Sequence, residues 1–234
     1  MNIPNFQQYF LFESRRDLPP YIIEFIEKIA RQAPNSTVMI PGPGGGRAAY
    51  DDLGRITVET YAGKKIKVLV RMEHYNSETN GMYTSPPAII TIYGNFVRRR
   101  GISGVESLLV HEFTHVLQHD QDSSSTHEDN VDNYYANPLE IEAYLAAIRF
   151  EIKTRFKNIL HGDNPQRQIS YFFKSLYDFC RQPMEETLNR RTYPKFLSHY
   201  SEFLKHASSG KNLKKIKTVI WHTVNELETT VNEY

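Results

Sequence analysis

The sequence predicts an α+β fold: a small, mostly antiparallel sheet packed on a helix, followed by a mainly helical C-terminal half. Two observations carry this expectation. Between Arg55 and Tyr93 apolar residues alternate with polar ones, the period of half-buried strands. From about Gly101 almost to the end, apolar residues recur at helical spacing instead. The change of period suggests a core over residues 1–150 and a helical extension or subdomain over residues 151–234.

The elements follow in order. Ile22, Ile23, Phe25, Ile26 and Ile29 lie at helical spacing behind Pro19-Pro20, predicting an amphipathic helix from Pro19 to Ala33. Residues 40–52, IPGPGGGRAAYDD, hold too many glycines and prolines for a regular element and lack the Gly-Lys-Ser/Thr ending of a phosphate loop. Ile56, Val58 and Thr60, then Ile66, Val68 and Val70, predict two strands joined at Ala62-Gly63. Ala88 to Tyr93 reads as a third strand. Pro86 and Pro87 just before it suit a sheet edge, because proline cannot donate to a ladder.

Ser103-Gly104-Val105-Glu106 has the form of a capping box, so a helix is expected from Ser103 to about Gln118. Residues 120–137 are polar and acidic, as an exposed loop would be, and Asn137-Pro138 starts another helix. Further helices are predicted over 165–181, 184–206 and 212–231, separated by Gly, Pro and Ser clusters.

Composition excludes several function classes. The 234 residues carry 28 Lys or Arg against 27 Asp or Glu, so the chain lacks the overall basic charge of a dedicated nucleic-acid binder. Charge is nonetheless uneven: residues 105–152 are acidic and residues 153–217 basic, which makes the C-terminal half a conceivable docking surface. No apolar stretch is long enough for a membrane span, and the start MNIPNFQQYFLFESRRDLPP lacks a secretory pattern, so a cytoplasmic location is expected. A single cysteine, Cys180, excludes a thiolate zinc cage and reads as a packed structural thiol. Any metal site must use histidines and carboxylates.

The informative pentapeptide is His111-Glu112-Phe113-Thr114-His115. On a helix, positions i and i+4 share one face, so both imidazoles can reach one ion. Glu112 then stands beside the ligands without being one. That is the arrangement of a zinc hydrolase, in which Zn2+ acidifies a water and polarises the substrate carbonyl while the carboxylate carries the proton to the leaving amine. A catalytic zinc takes a third protein ligand. His119 extends the same face but lies too far along the axis, whereas the next helix offers Glu140 and Glu142.

HEFTH followed by this glutamate helix resembles the zincin metallopeptidases of the gluzincin type, including minimal zincins such as the anthrax lethal factor catalytic domain and the peptidases that cut phage repressors. The resemblance covers strand 88–93, helix 103–118 and helix 138–150, which would correspond to the family's substrate-binding edge strand, active-site helix and glutamate helix. It implies His111, His115 and a glutamate as zinc ligands and Glu112 as general base. Glu140, followed three positions on by the small Ala143, is preferred as third ligand, with Glu142 as the alternative. Tyr134 and Tyr135 take the place of a catalytic tyrosine, His127 being weaker. Apart from the resemblance, the polarity of residues 120–133 suits a lid. The sequence departs from thermolysin-like members where they carry an aspartate to orient a zinc histidine: Tyr144, or Ala146, stands there.

The function expected is a zinc-dependent endopeptidase acting on a protein or peptide. The alternative is a non-catalytic zincin-fold scaffold or regulatory protein, a phage-related one for example, docking through its basic half. Nucleic acid is not indicated as a partner, and oligomeric state is left open.

Overall fold

The computed structural model describes residues 17–33, 50–74, 77, 79–119, 134–135, 137–182, 197, 200, 203–204 and 210–232. It is an α+β protein whose C-terminal half is mainly helical. Helix α1 (Pro20–Gln32) is followed by strands β1 (Tyr50–Glu59), β2 (Lys65–Glu73), β3 (Gly81–Thr84) and β4 (Ile89–Tyr93). Helices α2 (Gly94–Leu117), α3 (Pro138–Leu160), α4 (Pro165–Arg181) and α5 (Gly210–Asn232) complete it. Residues 34–49, 120–133 and 183–196, which include the glycine-rich run, His127, the expected lid and most of the helix expected over 184–206, lie outside the described residues.

The strand order is β1-β2-β4-β3. β1 and β2 form an antiparallel hairpin, β4 runs parallel to β2, and β3 closes the sheet antiparallel to β4. This corrects one expectation. β4 is an interior strand, and the edge is β3, a four-residue strand too short to stand out by alternation. Pro86 and Pro87 lie in the β3–β4 turn, where they cost no ladder bond.

One sheet face carries Val58, Val68, Val70, Met72, Ile90 and Ile92, all buried with Ile22, Ile26 and Ile29 of α1 and with α2. Burying these side chains contributes roughly 2 kcal/mol each, an upper bound against a compact unfolded chain. Gly81 sets how closely the edge strand approaches: a Cβ there would lie 2.8 Å from the Leu108 side chain of α2 and 3.0 Å from the Thr91 carbonyl.

α2 begins earlier than expected and is interrupted at Gly101, whose φ of 64° and ψ of −164° are accessible to glycine at little cost. The stretch that carries His111 to His115 therefore starts just after this break. Ser103 sits inside it rather than capping it, and Glu106 faces Glu27 and Arg31 of α1. α3 packs along α2, and α4 and α5 cover α3. α3 runs unbroken through residues 150 and 151, so the helix belongs to both halves of the chain. Cys180 packs against α5: its thiol donates to the Lys217 carbonyl at 3.4 Å, and burial pushes its pKa up to about 12. No helix among the described residues is long and apolar enough to cross a membrane.

Candidate metal centre

The second half of α2 is buried on nearly every side. Leu109, Val110, Phe113, Val116 and Leu117 supply the apolar contacts, but His111, Glu112 and Thr114 are buried among them. Thr114 returns its hydroxyl to the Val110 carbonyl at 2.8 Å. Burying two ionisable groups in mid-helix is unfavourable unless partners meet them. The partner comes from α3, whose Asn137 side chain caps the Leu139 amide and whose first turn carries Glu140. Ala143, one turn on, is fully buried. A larger side chain there would have to be accommodated in the packed helix layer.

His111, His115 and Glu140 converge. Their imidazole Nε2 atoms are 3.2 Å apart, and Glu140 presents one oxygen to each, at 3.4 Å from His111 and 3.3 Å from His115. Ligands about 2.05 Å from a tetrahedral zinc lie roughly 3.3 Å from one another, so these separations fit such an ion. His111 Nδ1 and Glu140 Oε2 are buried without a hydrogen bond, which leaves that oxygen free to ligate. The three side chains are the group among the described residues with donor atoms close enough to hold a metal.

Electrostatics follow from the packing. Burial alone would raise the Glu140 pKa, but hydrogen bonds and charge from His111 and His115 outweigh it and hold the carboxyl well below the usual range. Burial works against a charged His115, yet Glu140 and then Glu112 win and raise its pKa. Burial pushes the Glu112 carboxyl up, against His111 and His115, while the Tyr83 backbone N–H of β3 donates to it. Glu112 is thus held between the ligands and the sheet edge.

Glu142, the alternative ligand, does not reach the other two. It accepts from the Gln118 amide at 2.8 Å, and Gln118 in turn meets His115 Nδ1 at 3.1 Å. Of the two tyrosines singled out in the sequence, Tyr134 reaches the site: its hydroxyl bonds to Glu140, and burial, Tyr144 and Glu140 raise its pKa well above the ordinary value. Tyr135 packs in an aromatic cluster with Tyr134, Tyr144 and Phe203. His119 stands apart, paired through Nδ1 with the Tyr83 hydroxyl at 3.1 Å.

Two contributors were not foreseen as such. Gln118 is invisible to a search for metal-binding residue types, though its position three residues after His115 puts it on the same helix face. Tyr144, at the place of the expected aspartate, lays its ring 4.4 Å from that of His111 and stacks on Phe203. No family model matches the sequence, and no curated protein or solved structure matches the chain.

Proposed function

We propose that the chain is a zinc-dependent endopeptidase of the HExxH type with Glu140 as third ligand, acting on a protein or peptide. The observation that carries the reading is the convergence of His111, His115 and Glu140 with Glu112 buried beside them. Bound there, zinc would supply Lewis acidity toward water and a substrate carbonyl. The described residues offer three donors, whereas a closed structural zinc takes four, and this favours catalysis over a purely structural site.

The chain's own groups have distinct parts. Glu112, with its raised pKa, is suited to accept a proton from the attacking water and pass it to the leaving amine. Tyr134 is partly exposed, and its hydroxyl, released from Glu140 once that carboxylate ligates, would be placed to donate to the developing oxyanion. β3 is an edge strand of the sheet among the described residues and lies beside Glu112, where an extended peptide could add to it.

The experiment is elemental analysis of purified wild type beside His115→Ala, Glu140→Ala, Glu142→Ala and Glu112→Gln, each also assayed on a peptide library. One zinc per chain is expected in wild type, kept in Glu112→Gln and lost in His115→Ala and Glu140→Ala. Glu112→Gln should lose about 10²–10⁴-fold in cleavage rate. A wild type that takes up no zinc on titration, or a Glu112→Gln protein that cleaves like wild type, would refute the reading.

A further inference from the structure

The link between Glu142 and His115 is built so that its donors and acceptors admit one assignment. The Glu142 carboxylate and the Leu139 carbonyl are both acceptors, and both face the same nitrogen of Gln118, at 2.8 and 3.5 Å. The amide must therefore turn its NH2 toward α3 and its oxygen toward His115. That oxygen, 3.1 Å from Nδ1, can only accept. His115 then donates from Nδ1, which leaves Nε2, the nitrogen facing His111 and Glu140, as the atom that a metal would take. Gln118 is 3% exposed, so water competes little for these bonds.

We propose that Gln118 and Glu142 form a positioning relay for the metal centre, in which Glu142 orients the Gln118 amide and Gln118 fixes the tautomer and ring direction of His115. The proposal rests on the metal-centre reading above. It gives Glu142 a task other than ligation, and it makes the two histidines unequal. His115 is fixed by a hydrogen-bond chain reaching into α3, whereas His111 is held by ring packing against Tyr144, with its Nδ1 unbonded. The relay also ties Gln118, the residue just after α2, to the N-terminal part of α3, the two segments whose separation sets the distance between His115 and Glu140.

The test is zinc affinity of the full chain, measured by competition with a chromophoric chelator. Gln118→Leu, close in volume but unable to accept, should weaken binding about 10–100-fold. Glu142→Ala should weaken it by a smaller factor, and the double variant should bind no more weakly than Gln118→Leu alone, because both act through one bond to His115. Exchanging the pair, Gln118→Glu with Glu142→Gln, preserves an acceptor toward His115 and a donor between the helices and should restore near-wild-type affinity. Should Gln118→Leu fail to fold, the exchanged pair decides: retained tight binding supports the relay and lost binding overturns it. Wild-type affinity in Gln118→Leu, or independent losses that multiply in the double variant, overturns the relay while leaving the zinc site intact. A wild type that binds no zinc overturns the proposed function and the relay with it.

Discussion

Helix α3 buries two carboxylates about three turns apart, and the surroundings of Glu140 and Glu151 differ in kind. Glu151 accepts two bonds from Arg155, each 3.1 Å, and a third from the Tyr200 hydroxyl at 3.1 Å. A permanent cation and a neutral donor satisfy it completely. Glu140, buried nearly as well, faces two imidazoles that already crowd one another, and one of its oxygens lacks a hydrogen bond. The comparison separates two uses of a buried charge. A carboxylate with a fixed countercharge holds helices together, whereas one set against titratable nitrogens is satisfied fully only by a further cation.

The largest effect that could break this contrast is the response to metal. Zinc at about a thousand times its Kd should add about 4 kcal/mol to the unfolding free energy of wild type. Glu140→Ala should lose that increment and Glu151→Ala should keep it, as read by denaturant titration with and without zinc. Next is the metal-free protein itself. There Glu151→Ala should cost about 1–2 kcal/mol, chiefly by leaving the buried Tyr200 hydroxyl without its acceptor while Arg155 stays hydrated, and Glu140→Ala should cost clearly less. Equal losses at the two sites would erase the distinction.

A third prediction concerns the wall opposite α3. Gly81→Ala forces a Cβ against Leu108 and the Thr91 carbonyl, and should cost about 1–3 kcal/mol and lower cleavage by displacing the Tyr83 amide from Glu112. The smallest effect lies where α5 meets the middle of α3. Burial would raise the Glu226 pKa, but Lys153 and Arg149 hold it below the usual range. A lowered folded-state pKa contributes stability above the ordinary carboxylate value, and that contribution is lost as pH falls from that value through the lowered one. Glu226→Gln should therefore lower Tm by about 1–3 °C near neutral pH, with the difference shrinking in acid.

Much of the fold was legible because its signals are local. The Pro-Pro start of α1, the turn at Ala62-Gly63 and the Asn137-Pro138 start of α3 each depend on a few neighbouring residues, and each stands where the pattern places it. β3 was not legible, since four residues with one exposed side chain make no periodic signal, and with it went the true edge of the sheet. Gly101 was legible as a boundary and does break α2, so the helix expected from Ser103 is its second stretch; the first stretch, from Gly94, carried no such signal.

The candidate site divides in the same way. His111, Glu112 and His115 are tied by the geometry of one helix turn, so spacing suffices to find them. Choosing between Glu140 and Glu142 required the angle at which α3 meets α2, which no spacing contains. Gln118 and Tyr144 belong to residue types with many other uses, and only their placement gives them meaning.

The candidate metal site also straddles a long stretch of chain, since residues 116 to 139 lie between His115 and Glu140. An ion bound to both would act as a removable cross-link, closing that stretch into a ring and restricting the unfolded chain much as a disulfide does. A chain with a single cysteine would gain in this way a covalent-like tie that a chelator can undo. The first part to loosen on chelation would be the opening turn of α3, while the sheet and α1, which share no ligand with the ring, would keep their packing.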